Sequence, residues 1–448
     1  MPLSVQTHSA LLQLDSNRDR QLSTKELQQI DSNRDGFIGW EEGEKAGLND
    51  ADRLLINPRY RGKIQDVNAI VFSRQALDAL QLASPLNANF DIIDRNRDGK
   101  LAKSELASAL GNPSFDSNNA AAIATAYKRY DDLVALQADR GLTRKLPQHQ
   151  LLDKLPLQRY SEGGISRNDL SALLDAADSG DARVSEAMGR FSISTYGPRS
   201  ATRELFPKGL ESIRPDHIEQ GELGDCYFLA AVASLADTPS GKRQIFNMIQ
   251  PHSDGRFTVT FPGKEPVTFH GPTDSELGLY STSGRDGLWL AVLEKAYAIQ
   301  RNDNAWLIQR SNPYDKIGNG DTLSEGIRAA TGKSTRNDIL KATPLRTLRL
   351  NLRIALQQQR VVTAAVMNQL NPFSDNDRTA NGLPRGHAYS ILDYDAASDQ
   401  ITVRNPWGST EVVDENGRVR DGVNDGTFKM SLEEFKQSFD LVTYEAGH

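Results

Sequence analysis

An α+β protein is predicted, all-α in its first part and mixed in its second, and three observations carry that prediction. Before about residue 195, short helical patterns such as KELQQI, SELASALG and RNDLSALLDAA alternate with loops rich in Asp and Asn. After it come strand-like runs: RFTVTF (256–261), RVVTAAVM (360–367), HAYSILDY (387–394) and QITVRN (400–405). At 448 residues the chain also exceeds one ordinary core, so about two to four domains are expected.

Composition sets the broad class. Hydrophobic residues make up 38% and charged residues 25%, with a net charge of -7, which fits a mildly acidic globular protein and gives no reason to expect nucleic acid as a partner. The single cysteine excludes an intrachain disulfide. No basic leader precedes an apolar run at the N-terminus, and no apolar stretch reaches the roughly 18 residues that span a bilayer. A cytoplasmic protein is expected, or one exported without a classical signal peptide, with no membrane span.

The first part repeats itself. DSNRDRQLSTKE starts at Asp15, DSNRDGFIGWEE at Asp31 and DRNRDGKLAKSE at Asp94. Each has oxygen-bearing side chains at its first, third and fifth positions, an aliphatic at the eighth and a glutamate at the last. Calcium takes six to eight oxygens, and this spacing wraps a short loop around it while the final glutamate closes the site with two oxygens. The Ca2+ ligands would be Asp15, Asn17, Asp19 and Glu26; Asp31, Asn33, Asp35 and Glu42; and Asp94, Asn96, Asp98 and Glu105, with backbone carbonyls from Gln21, Phe37 and Lys100.

These loops resemble the EF-hand family, with two departures. Arg20 stands where a glycine lets the chain turn sharply, so the first loop should bind most weakly. Asp15 and Asp31 are sixteen residues apart, leaving 24–30 as a short shared helix and implying a compact first pair. Degenerate copies, IQDVNAIVFSRQALDAL from Ile64 and GGISRNDLSALL from Gly163, lack most of the carboxylates and are expected to pack as partners without holding metal.

In the second part, the cysteine lies in QGELGDCYFLAAVASLA. Phe228, Leu229, Val232 and Leu235 follow it at helical spacing and DTPS ends the run, so Cys226 sits in the first turn of a helix. There the helix dipole and unpaired amides are expected to favour a thiolate and depress the thiol pKa. Thiolate attack on an amide needs a base, a group to orient it, and donors for the oxyanion. His217, nine residues before the thiol, is one neighbour in sequence. His387 is another candidate, since it opens the strand HAYSILDY beside a glycine, and a turn at DAASD returns the chain through QITVRNPWG to Asn405. The hairpin's register decides whether His387 and Asn405 share a face.

From about residue 196 onward the chain resembles the calpain family of papain-like cysteine proteases. The blocks QGELGDCYFLAA, GLWLAVLEKAYA, GHAYSILDY, RNPWG and DGTFKMSLEEF occur in that family's order. The resemblance implies a papain-like core of two subdomains, one helical and one β-rich, with a catalytic cleft between them. It implies Cys226 as nucleophile, His387 as general acid/base, Asn405 as the group holding the imidazole, and Gln220 as an oxyanion donor. Trp407 would cover the His–Asn pair, and Gly224 would line the cleft. Tyr227 stands where the family usually has Trp, and Lys429 replaces an aromatic in the last block. Animal members carry calcium-binding carboxylates at the positions here held by His217 and Gly287, so calcium control is expected to reside in the N-terminal loops instead.

The division expected is 1–110 as the EF-hand region, 111–194 as a helical segment with degenerate repeats, and 195–448 as the protease core. The function expected is a calcium-binding, calcium-regulated cysteine endopeptidase that hydrolyses polypeptides through a thioester. Two alternatives are a calcium-binding scaffold with a silent protease fold and a transglutaminase-type acyl transferase, which usually orients its histidine with Asp rather than Asn.

Overall fold

The computed structural model describes residues 21–22, 29–30, 45–46, 70–71, 74–138, 164–178, 181–200, 202–302, 313–368 and 377–447. The chain divides into two compact units, one of 1–198 with 273–278 and one of 199–272 with 279–448.

Among its described residues the first unit is helical apart from two pairs of two-residue strands. Strand β1 (Gln21–Leu22) pairs with β2 (Ile70–Val71), and β3 (Lys100–Leu101) with β4 (Ile165–Ser166), both antiparallel. Helix α1 spans Arg74–Ala88, α2 Lys103–Leu110, α3 Ser117–Lys128, α4 Tyr130–Ala138, α5 Arg167–Asp178 and α6 Ala182–Ser200. Ala-rich α3, with low side-chain entropy to lose, is buried from Ala120 to Tyr127 and packs against α1 and α2. Strand β4 and α5 belong to the degenerate copy beginning at Gly163, which thus partners the third loop as expected. The copy from Ile64 contributes β2, so the first loop pairs with it. The compact pair expected between the loops at Asp15 and Asp31 falls on residues outside the described ones, as do 24–28 of the shared helix and the second loop from Asp31 to Glu42.

In the second unit, helix α7 (Cys226–Ala236) is apolar on every side and buried from Tyr227 onward, the pattern of a helix enclosed in a core. Tyr297 of α8 (Trp289–Arg301) stacks on its Phe228, α9 (Leu323–Thr331) packs along it, and α10 (Leu345–Gln357) and α11 (Leu432–Ser438) pack against each other and against the main sheet. Strands β5 (Ile249–Pro251), β6 (Arg256–Val259) and β7 (Val267–His270) form a small meander. The main sheet comprises β8 (Thr335–Ile339), β9 (Val362–Val366), β10 (His387–Asp395), β11 (Gln400–Arg404), β12 (Thr427–Ser431) and β13 (Leu441–Glu445). Its order is β12-β11-β10-β9-β13-β8, antiparallel throughout.

Helix α7 is fastened to this sheet by Ser390 Oγ donating to the Ala230 carbonyl at 2.8 Å and by the Val362 amide donating to Ser234 Oγ at 3.0 Å. Leu348, Leu352, Tyr389, Phe428 and Phe435 belong to the core beside the sheet. The four strand-like runs read from sequence supply β6, β9, β10 and β11. Among the described residues, no helix is long and apolar enough to cross a membrane.

Candidate active site

Cys226 is the first residue of α7 and half-buried, and it lines the same cleft as Ala388 at the start of β10. Burial pushes the thiol up to about 11, and the neighbouring Asp225 carboxylate adds to the rise, against the lowering by the amides of Ala388, Tyr227 and Cys226. The depressed pKa expected from the helix terminus is therefore wrong for this conformation. A helix end acts over one turn, whereas desolvation acts on the whole charge of the thiolate.

The β10–β11 hairpin settles the register left open above. Ser390 stands opposite Arg404, so Asn405 comes opposite Tyr389, on the same face as His387 and diagonal to it. His387 Nε2 and Asn405 Oδ1 are 2.8 Å apart, with His387 6% exposed and Asn405 fully buried. Asn405 Oδ1 also accepts from the Trp407 amide at 2.9 Å, and its Nδ2 donates to the Thr410 carbonyl at 2.9 Å. With the amide so fixed, His387 must donate from Nε2, which leaves Nδ1 as its acceptor nitrogen. Burial pulls the imidazole down to about 4, against the hydrogen bond to Asn405. Trp407 stacks over the ring with centroids 4.3 Å apart. With the thiol high and the imidazole low, both are neutral near pH 7.

Gln220, Gly224, Cys226, His387 and Trp407 line one cleft of about 1870 Å³, with Asn405 behind it. Gln220 Nε2 donates to the Leu223 carbonyl at 2.5 Å, and its second hydrogen remains for another acceptor. Its backbone amide donates to the Pro406 carbonyl at 2.8 Å, joining the segment before the thiol to the Asn405–Trp407 turn. Gly224 is required by close approach, because a Cβ there would lie 2.5 Å from the Gly318 carbonyl oxygen.

Three buried features behind the cleft were not read from sequence. Arg404, fully buried, donates from Nη2 to the Ile218 carbonyl at 2.8 Å and from Nη1 to the Asp425 carbonyl at 2.9 Å and Thr427 Oγ1 at 3.3 Å. It ties the strand end carrying Asn405 to the segment leading into Gln220. Asp225, also fully buried, has no hydrogen-bond donor at either oxygen, and its carboxyl meets that of buried Glu294 on α8. Burial first, then the neighbouring Glu294 carboxylate, push Asp225 well above the usual carboxylate range. The sequence signal was the charged pair Glu294–Lys295 inside an apolar run.

The third feature is Asp286, fully buried, which pairs with Lys208 at 2.5 Å and with His217 Nδ1. His217 is thereby engaged away from the cleft and is excluded as the orienting or basic partner of Cys226. Gly287 has φ 111°, and a Cβ there would lie 2.2 Å from the Leu205 carbonyl oxygen, so no carboxylate fits at that position.

The third calcium loop has the turn geometry its sequence implies. Gly99 adopts φ 79°, and Asp94 accepts from the Asp98 amide at 3.2 Å and the Gly99 amide at 2.9 Å. The Asn96 oxygen accepts from the Asp98 amide at 2.9 Å, and Asp98 from the Lys100 amide at 2.9 Å. The donors are all oxygens, as calcium prefers. Glu105 is turned onto the amides of Arg95, Asn96 and Ala102, and among the described residues no three carboxylate, histidine or cysteine side chains converge on one point. Rotation of Glu105 into the loop completes the set. Of the proposed ligands in the first two loops only Gln21 is described, on β1; Asp15, Asn17, Asp19, Glu26, Asp31, Asn33, Asp35, Phe37 and Glu42 lie outside the described residues.

A half-buried thiol at a helix start thus shares one cleft with a histidine fixed by an asparagine. The family model for calpain family cysteine protease matches residues 199–444, and that for EF hand matches 24–42 and 86–110. The chain belongs to the calpain family and carries EF-hand calcium-binding motifs. Its relatives include calpain clp-1 of Caenorhabditis elegans, 28% identical over 53% of this chain and 35% of that protein. Calpain-9 of Rattus norvegicus is 29% identical over 50% of this chain and 35% of that protein. The calpain-1 catalytic subunit of Bos taurus is 27% identical over 56% of this chain and 38% of that protein. The chain thus spans little more than a third of the length of these relatives.

Proposed function

We propose that the protein is a calcium-regulated cysteine endopeptidase acting on polypeptides, and the observation that carries this is the buried His387–Asn405 pair, capped by Trp407, in the cleft lined by Cys226. Cys226 Sγ attacks the carbonyl carbon of a bound peptide while its proton passes to His387 Nδ1. The oxyanion is met by the Cys226 backbone N–H at the helix start and by the second hydrogen of Gln220 Nε2. Collapse forms the thioester and releases the amine, which takes the proton from His387. Water then attacks the thioester, giving its proton to His387, and the thiol is restored.

Residues in a water-poor cleft start neutral, and the attraction between thiolate and imidazolium offsets part of the cost of the transfer. In this reading 195–448 does the chemistry, 1–110 holds the calcium loops and 111–194 supplies their helical partners. Calcium would be held by Asp94, Asn96, Asp98 and Glu105, with the Lys100 carbonyl, and by the matching residues of the other two loops. Its binding shifts activity only as far as it favours one arrangement of the chain over another. The test is cleavage of casein by the full chain and by Cys226→Ala, in calcium and in chelator. Equal cleavage by the Cys226→Ala protein overturns the proposal.

A further inference from the structure

Four charged residues besides the site itself line the cleft, and three have partners. Asp321 is bound by Arg301 at 2.8 Å, and Lys341 lies 3.6 Å from Asp440. Arg385 is the exception. Among the described residues its guanidinium has no acceptor, and its Nε is shut off from water without one. An Arg presents five donors in a planar fork suited to a carboxylate, and a buried N–H without an acceptor is a cost that a ligand can remove.

Its backbone is held in place. The Arg385 amide donates to the Asp377 carbonyl at 2.8 Å, and Gly386 follows with φ 64° before His387 begins β10. Among the described residues Arg385 is therefore a cation without a counter-ion, two residues from the imidazole, in the wall of the cleft that receives the peptide.

We propose that Arg385 is a specificity-determining residue that selects peptides carrying an acidic side chain, Asp or Glu, close to the scissile bond. This rests on the reading of the cleft as a peptidase site. The carboxylate would accept from the fork and supply the acceptor that no described residue supplies.

The test uses the full chain and a set of peptides in which each of the three positions on either side of the scissile bond is in turn Glu, Gln or Lys. One position is expected at which Glu is cleaved about ten-fold faster than Gln in kcat/KM, the size of one charge-assisted hydrogen bond. Arg385→Gln should lose the Glu-over-Gln preference, and Arg385→Glu should favour Lys at the same position. Binding of the same peptides to the Cys226→Ala protein, followed by fluorescence anisotropy, gives a second readout that needs no turnover. Cleavage of Glu and Gln peptides alike at every position overturns the role of Arg385 and leaves the peptidase reading intact. No cleavage of any peptide, with a Glu-over-Gln binding ratio that vanishes in Arg385→Gln, overturns the peptidase reading and keeps the recognition. A preference that survives Arg385→Gln also overturns it.

Discussion

Arg404→Met removes the side chain that joins the two strands of chain on which Asn405 and Gln220 are carried. Its guanidinium satisfies the buried carbonyls of Ile218 and Asp425 at 2.8 and 2.9 Å. Hydrogen bonds to a charged donor contribute about 1.5–3 kcal/mol each, so loss of both gives about 3–6 kcal/mol. Methionine fills much of the volume and ends the cost of burying a cation, a cost visible in the lowering of the Arg404 pKa by burial. The net expectation is about 2–4 kcal/mol of lost stability, and about half that for Arg404→Lys, which keeps one carbonyl. Because the Gln220 amide still holds the Pro406 carbonyl, the site should persist but loosen. A shift on the order of 1 Å between His387 and the thiol then lowers kcat by about 100-fold with KM little changed. Urea unfolding and peptide kinetics measure the two effects. An Arg404→Met protein as stable and as fast as the parent refutes the claim that this side chain holds the site together.

The proposed mechanism predicts that Cys226→Ala removes hydrolysis, whereas Asn405→Ala leaves a reduced rate because it orients rather than reacts; active-site titration with peptide turnover separates them. Asp225 keeps its proton in the native state above the ordinary carboxylate pKa near 3.9, so its contribution is fully present below that value and is lost as pH rises. Glu294→Gln replaces the neighbouring carboxylate with a neutral amide, and its urea midpoint should fall less than the parent's between pH 5 and pH 8; parallel profiles would contradict the coupling of the two groups. Glu42→Gln and Glu105→Gln should each remove one strong calcium site in calorimetry, and Glu26→Gln should matter less because Arg20 already weakens its loop. Asp286→Asn leaves Lys208 and His217 without their carboxylate and should lower both stability and activity, measured in calcium and in chelator alike.

What could be read from sequence was local chemistry. A calcium loop carries its ligands within twelve residues, so the loop at Asp94 and its degenerate partner were legible, and its turn at Gly99 follows from residue type alone. The cysteine helix and the His387 and Asn405 strands were legible because apolar periodicity and turn residues mark their ends. The common face of His387 and Asn405 was not, since it depends on the hairpin register, which shifts between Ile391 and Asp393. The direction of the Cys226 shift was also missed, because burial comes from β10, more than a hundred residues further on. Arg404 and its acceptor Ile218 are 186 residues apart, and no spacing rule reaches that far.

The segment 273–278 is placed with the first unit although it lies deep in the second half of the chain. Thr273 Oγ1 donates to the Leu110 carbonyl at 2.5 Å, Thr273 and Glu276 close a capping box around the short helix Asp274–Leu277, and Arg190 donates to the Gly278 carbonyl. A nascent chain leaves the ribosome from its N-terminus, and domains ordinarily fold in that order. Here the N-terminal body cannot be finished when its first 198 residues have emerged, because the piece that covers Leu110 is translated some seventy-five residues later. By then the cysteine helix is already synthesised. Maturation of the first unit is thus delayed until the cysteine helix exists, and a truncation placed between the halves removes part of the first rather than freeing it.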